Sequence, residues 1–401
     1  MDPPRDVEYR PVSVKAVLAE MKDTAELLID LSYSAVLLGS DEVAEEVLAL
    51  EERMDLLQMQ ARMSLLMAAR SPDDAEQLAP VLGVVGAAEK ISDAAGDIAK
   101  IVLEEIGLPD AMRTALPEAV EPVVRASVDS GSRFTGRSLG DIDFETETGV
   151  RVVAVRRAGD WLLDPDSETA LEGGDVVLLR GFEENLAPVY ETVSGTPYSV
   201  PDPAEPGIDD LERAVDAIVL MKNMSELAVD IAYGSVLFNS TDLAEEVAAL
   251  ETEVDQLESR FEAWTLQAAA RVEDPVSLRG LVHLAGSTEV ISDAALEISE
   301  GVLRGLGTHP VVAEAVFESD EVIVRLTVGD GSTLDGTTLG EQTVRTATGM
   351  RIIAVRRPRG SPSPMDDEWE VQPGPDTALS AGDVILAKGT RAGAERLEEL
   401  V

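Results

Sequence analysis

Cysteine is absent from the 401 residues, which excludes disulfides, thiolate metal sites and cysteine nucleophiles. Histidine is nearly so: His283 and His309 are too few for a histidine-built zinc or acid–base centre, and His309 precedes Pro310 near a turn. Aromatic residues make up only 3% of the chain, so aliphatic side chains must fill the interior. No apolar run approaches the roughly 18 residues that span a bilayer. The opening Met-Asp-Pro-Pro-Arg-Asp has neither the basic start nor the apolar stretch of a secretory leader. The expectation is a cytoplasmic chain with no direct membrane insertion.

Positive charge is also scarce. Against 77 acidic residues stand 32 basic ones, a formal net charge of -45. Only six of the basic residues are lysines, at positions 15, 22, 90, 100, 222 and 388. Such a chain repels phosphate backbones and anionic lipid headgroups, which excludes nucleic acid and membrane surfaces as expected partners. The acidic residues are spread through both halves rather than gathered in a tail. That pattern resembles proteins of halophilic archaea, where concentrated salt screens self-repulsion. Signatures of enzymes are missing as well: there is no G-x-S-x-G elbow, Walker loop or H-E-x-x-H phrase, so a non-enzyme is expected.

What is present is a repeat at a spacing of about 200 residues. The segment from Met21, MKDTAELLIDLSYSAVLLGSDEVAEEVLALEERMDLL, aligns without a gap with MKNMSELAVDIAYGSVLFNSTDLAEEVAALETEVDQL from Met221. AAEKISDAAGDI from Ala87 matches STEVISDAALEI from Ser287, and LGDIDFETETGVRVVAVRR from Leu139 matches LGEQTVRTATGMRIIAVRR from Leu339. Both halves close alike, with ETALEGGDVVLLRG and DTALSAGDVILAKG.

Each half begins with helical periodicity. Val43, Val47, Leu50, Met54, Leu57 and Ala61 recur at three- and four-residue steps and leave acids on the other side. Gly39-Ser40, Asn239-Ser240, Ser71-Pro72 and Asp274-Pro275 punctuate the pattern. The predicted helices run approximately 12–38, 41–70 and 74–106, then 208–238, 241–271 and 275–306. Short connections between them make antiparallel neighbours. The period then shortens: 123–128, 150–156 and 175–179, with 322–328, 350–355 and 383–386, are β-branched runs that read as strands of a small sheet. Gly173-Gly174-Asp175 and Ala381-Gly382-Asp383 supply the turn before the last strand, and closing helices are predicted near 183–193 and 391–400. The predicted fold class is multidomain: two all-α three-helix bundles (8–118 and 208–317) alternating with two small α+β domains (119–194 and 318–401), joined by a Pro- and Gly-rich linker at 195–207.

The three-helix part, with DEVAEEVLALEERMD and EKISDAA, resembles one half of a PhoU protein. The following part resembles TrkA-C, the C-terminal ligand-binding subdomain of RCK proteins. Its signature is S-x-x-x-G at Ser132–Gly136 and Ser332–Gly336, the Val-Arg-Arg strand and the Gly-Asp turn. These resemblances imply regulation of membrane transport, chiefly of potassium channels, potassium transporters and cation antiporters. Some TrkA-C modules bind cyclic di-AMP in the cleft between two paired modules. The nucleotide-binding RCK domain with its G-x-G-x-x-G turn is not in the sequence, nor is a channel segment, so a separate membrane cation transporter or channel subunit is the implied partner.

Two sets of candidate residues follow. In the sheet module they are Val152, Val153, Arg156 and Arg157, repeated as Ile352, Ile353, Arg356 and Arg357. Aliphatic side chains can sandwich an adenine ring, and arginine offers paired hydrogen bonds to a phosphate. The plainer reading is strand core for one of each aliphatic pair, since side chains alternate across a sheet, and salt bridges for the arginines. In the bundles, PhoU proteins can hold metal through acids spaced four apart on a helix, and the matching pairs are Glu51 with Asp55, Glu89 with Asp93, Glu251 with Asp255 and Glu289 with Asp293. Carboxylates of this kind suit iron, magnesium, calcium or manganese. Against a metal, the usual family phrase Gly-Asp-His is replaced by Ser-Asp-Ala in both halves, and acids are common enough here for such spacing to arise by chance.

The function expected is that of a cytosolic ligand-sensing regulator of a separate potassium or other cation transporter, peripheral to the membrane, with cyclic di-AMP as effector. It would act as a homodimer or as a monomer with an internal pseudo-twofold. The alternatives are a phosphate-uptake regulator with a carboxylate-bound divalent metal, and an acidic structural adaptor with no small ligand.

Overall fold

A computed structural model describes residues 13–69, 71–109, 123–158, 160–163, 165–181, 183–198, 209–305, 310–318, 321–357, 369–371 and 373–401. The predicted N-terminal segment before Ser13, most of the 195–207 linker and His309 lie outside them.

The first repeat opens with α1 (Val14–Leu38), α2 (Asp41–Ala68) and α3 (Pro72–Leu103). Their ends are set locally. The Ser13 hydroxyl accepts from Ala16 N–H, and Ser40 accepts from Val43 N–H. Gly39 takes the left-handed conformation (φ 56°) that closes α1. Strand β1 (Val123–Ser127) follows, then two short helical turns, α4 (Leu139–Ile142) and α5 (Phe144–Thr148). Strands β2 (Arg151–Arg157), β3 (Asp160–Leu163) and β4 (Val176–Arg180) and helix α6 (Glu183–Ser194) complete the module.

The second repeat gives α7 (Asp209–Phe238), α8 (Thr241–Ala269) and α9 (Arg279–Leu303). Ser240 caps α8, and Asn239 takes the left-handed role of Gly39 with φ 46°. Helix α10 (Pro310–Glu318) leads into β5 (Glu321–Thr327), followed by α11 (Val344–Thr348), β6 (Met350–Arg356), β7 (Trp369–Val371), β8 (Val384–Thr390) and α12 (Arg391–Glu398). The long helices fall where periodicity places them, within a few residues. The elements that escaped the sequence reading are α10, the short edge strands β3 and β7, and the short helical turns α4, α5 and α11.

Each sheet is antiparallel, in the order β1-β4-β2-β3 and β5-β8-β6-β7. Gly136 and Gly336, both left-handed (φ 77° and 75°), donate to Leu171 and Leu379 O and pin the loop of the S-x-x-x-G phrase.

The two bundles are not separate bodies. One continuous apolar core runs through α1–α3 and α7–α9, with α3 packed along α9. The sheets cover it from outside: Val123, Ala154 and Leu178 from the first and Ile323, Ile353, Ala354 and Leu386 from the second join that core. The opposite sheet faces carry their own smaller cores, around Val152, Val155 and Leu186 in one module and Ile352, Val355 and Leu397 in the other. Both faces of each sheet are therefore covered.

Candidate functional site

A β-bulge decides where the candidate arginines point. The register between β2 and β4 shifts between Val152 and Ala154, and that between β6 and β8 shifts between Ile352 and Ala354. Val153 and Ala154 consequently both face the helices, and so do Ile353 and Ala354. The alternation resumes with Val155 in the module core. An extra residue on one strand moves everything after it to the other face. Arg156 thereby meets α2, where its Nη2 lies 2.7 Å from Oε1 of Glu46. The guanidinium also stands 5.6 Å from the Trp161 ring centroid. Arg125 shares the same Glu46 oxygen (3.0 Å) and reaches Glu42 at 2.8 Å. In the second repeat Arg356 Nη1 lies 3.0 Å from Asp242 Oδ2 on α8.

Arg157, one step on, turns into its own module. It donates to both carboxylate oxygens of Asp175 (2.8 and 2.6 Å) and to Ala170 O, and approaches Glu172 at 3.0 Å. Burial alone would raise the Asp175 carboxyl, but the hydrogen bonds from Arg157 and from Glu172 N–H hold it below the usual carboxylate range. Arg357 makes a long contact to Ala378 O. Val152 and Ile352 sit in the module cores, and Val153 and Ile353 pack on the helical core. The aliphatic pairs are thus strand core on both faces, where the plain alternation rule assigned only one of each pair to the interior.

A second gathering of charge lies where α1 and α7 meet, and the sequence reading missed it. Lys22 and Lys222 are only 2% and 3% exposed. Lys22 pairs with Glu26 at 2.8 Å, and Lys222 with Glu226 at 2.6 Å. Each ammonium stands over the tyrosine ring of the other repeat: Lys22 is 5.5 Å from Tyr233, and Lys222 is 5.6 Å from Tyr33. Burial lowers the Lys222 ammonium and raises both phenols. The strand ends converge here: Arg180 pairs with Asp30, and Lys388 reaches Asp230 at 2.6 Å and Glu26 at 3.3 Å. One signal was available. Lysine is so rare in this chain that its recurrence at 22 and 222 marks a required position.

The acidic pairs also come together across helices. Glu51 on α2 faces Asp55, Asp93 and Asp97, and burial followed by those neighbours raises its carboxyl while Lys100 opposes the shift. Lys100 lies 4.0 Å from Glu51 and 2.8 Å from Asp97. Glu89 pairs with Arg62 at 3.4 Å. A side chain at Gly96 would collide with the Glu51 carboxylate, so that glycine permits the approach. In the second repeat Glu300 stands where Lys100 does in the first. There burial, then Asp293, Glu258, Asp255 and Glu251, push Glu289 up to about 7. Asp97, Glu258 and Glu300 were not among the candidates. Among the described residues no group of three carboxylates or histidines closes far enough to hold a metal ion.

A helical bundle carrying a small antiparallel module, built twice in one chain, defines a regulatory class of protein. The families follow from their profiles: PhoU domain at residues 18–102 and 218–302, and TrkA-C domain at 123–193 and 323–401. The chain is thus a tandem of a PhoU domain and a TrkA-C domain, present twice. A "Probable potassium channel protein 2" of Methanocaldococcus jannaschii is 28% identical over 140 residues, which cover 33% of this chain and 38% of that one. The chain thus matches little more than a third of that relative's length. The crystal structure of PhoU from Pseudomonas aeruginosa is 13% identical, covering 73% of this chain and 96% of its own, with a TM-score of 0.40. The GsuK RCK domain is 14% identical over 73% of this chain and 65% of its own, with a TM-score of 0.19. Among the described residues no helix is long and apolar enough to cross a membrane.

Proposed function

We propose that the chain is a cytosolic regulator of a separate potassium or other cation transporter, switched by an anionic nucleotide such as cyclic di-AMP held by its TrkA-C modules. The observation that carries this reading is the junction of sheet and helix: Arg156 is held by Glu46 and Arg356 by Asp242. A phosphate competing for either arginine would loosen that module from its bundle. The effector would then bind one arrangement more tightly than the other, as a switch requires. The tandem of PhoU and TrkA-C domains supports the regulatory part, and the potassium channel relative supports the kind of partner. The two modules keep separate cores on their outer faces, and the pairing that encloses the effector is made either across the internal pseudo-twofold of one chain or across a homodimer. Calorimetry with cyclic di-AMP at physiological salt tests the reading, with Arg156→Ala and Arg356→Ala as controls. Saturable heat that weakens at least tenfold in the double variant is expected, and an absence of heat would sink it.

A second reading makes the bundles primary, with a divalent metal on the carboxylates and phosphate uptake as the system regulated. Glu251, Asp255, Glu258 and Asp293 stand near enough to raise the Glu289 carboxyl, which supports it, although among the described residues no three of them close to metal-binding distance. Elemental analysis of protein purified without chelator distinguishes the two, and a protein with neither metal nor nucleotide is an acidic adaptor.

A further inference from the structure

The outward face of the first repeat's helical hairpin differs in chemistry from the rest of the molecule. From Leu56 to Pro72 there is no acidic residue, in a chain where 77 of 401 residues are acidic. Leu56, Met59, Leu66 and Met67 of α2 are exposed, the last three at 45%, 74% and 65%, and Leu82 of α3 is exposed beside them. Met63 is half-buried on the same outer side. A side chain added at Gly83 or Gly86 of α3 would meet nothing within 4 Å, so space is open above α3 at both positions.

The fold does not demand this face, because the second repeat builds the same hairpin without it. At the equivalent positions α8 carries Gln256, Ser259, Ala263 and Gln267, all exposed, although Leu266 and Val282 persist. Core positions agree between the two helices while the outer face has diverged. Leu56, Met59, Met63 and Leu66 step by three and four residues, the spacing of a seam that receives another helix. Methionine supplies flexible, polarisable contact suited to helices of varied sequence. Carboxylates flank the stripe: Glu52 and Asp55 on α2 and Asp93 on α3, with Glu89 shared with the exposed Arg62 and Glu51 near Lys100.

We propose that this face docks a basic amphipathic helix of a partner protein. The stripe takes the apolar side of that helix, and the flanking acids take its lysines and arginines. Cytoplasmic segments next to membrane spans are enriched in these cations, so the proposal names the kind of contact that regulation of a transporter needs. It rests on that reading only for where the helix comes from. A second copy of this chain is the disfavoured occupant, since it would bring another net charge of -45 against the flanking carboxylates.

The test titrates the full chain with a synthetic helix of about 18 residues, lysine on one side and leucine on the other, against a scrambled peptide of equal charge. In roughly 1 M salt, non-specific attraction is screened. One peptide per chain, bound about tenfold more tightly than the scramble, is expected. The variant Leu56→Gln, Met59→Ser, Met63→Ala, Met67→Gln carries residues the second repeat already tolerates, and it should lose the preference while its unfolding curve is unchanged. The reverse graft, Gln256→Leu, Ser259→Met, Ala263→Met, Gln267→Met, should raise the stoichiometry to two. Equal binding of the scramble, an unaffected first variant, or sedimentation as a dimer that the first variant dissociates would each overturn the proposal. Cyclic di-AMP heat should survive in that variant. Peptide preference without nucleotide heat in the parent chain sinks the effector reading alone.

Discussion

Lys388 and Glu26 come from opposite ends of the chain and meet at 3.3 Å. The lysine belongs to β8 of the second module, and the glutamate to α1 of the first repeat. Lys388 also holds Asp230, while Glu26 holds Lys22, which lies over Tyr233. The second sheet is thus tied electrostatically to both halves, beside the helical core to which both sheets contribute.

Removing Lys388 leaves Glu26 and Asp230 without that cation in a largely dry site. Breaking one side of a buried pair costs about 3–5 kcal/mol. Lys388→Met is expected to lose stability in that range in denaturant titration, and a change near zero would show that solvent screens the site.

The duplicated tyrosines should respond unequally. Tyr33 Oη lies 2.7 Å from Thr288 Oγ1, whereas the Tyr233 hydroxyl is buried with no hydrogen-bond partner among the described residues. Tyr33→Phe should cost about 1 kcal/mol, and Tyr233→Phe should be neutral or stabilising, since an orphaned buried hydroxyl carries a desolvation penalty. Thermal unfolding of both variants checks the order.

Burial, and then the neighbouring Asp293, push the Glu289 carboxyl up to about 7. Its folded form therefore holds a proton that the unfolded chain releases, so its contribution to stability is full at acid pH. That contribution is lost as pH rises from about 4.5 through 7. Glu289→Gln should stabilise the protein by roughly 1 kcal/mol at pH 8, once solvent screening is allowed for, and should change little at pH 4. Unfolding midpoints across that range decide it, and a gain largest at low pH would reverse the assignment.

Val152 and Ala154 pair with the consecutive residues Leu179 and Leu178, so Val153 is the extra residue of the bulge. Deleting it should leave Ala154, Val155 and Arg156 on their present faces, with Arg156 still against Glu46. The expected result is amide-exchange protection retained in β1–β4, with only the packing of Val153 on the helices lost. Loss of protection in β1–β4 would mean that the strand slips instead of closing the bulge.

The repeat, the helix ends and the turns were readable in the sequence because they depend on local chemistry. Ser40 and Ser240 cap, Gly39 and Asn239 turn left-handed, and Val43 to Ala61 keep the helical period. The bulge was not readable, since Arg-Val-Val-Ala-Val-Arg-Arg carries no glycine to announce it. Nor was the merger of the bundles, because one period describes a helix buried on its own bundle and one buried against another. The acidic pairs were legible as pairs, Glu289 with Asp293 among them, but the burial that raises Glu289 most and the approach of Glu258, Asp255 and Glu251 on α8 enter only through packing. The candidate arginines were legible as cations out of place in an acidic chain, and their actual partners depend on the phase change that the bulge imposes.

The common interior of α1–α3 and α7–α9 bears on ancestry. A chain with one repeat would leave the α3 surface that meets α9 bare, and would find its match in an identical molecule. Within one chain the two halves need not stay equal, and the outer face that carries methionines on α2 and polar residues on α8 is where they differ.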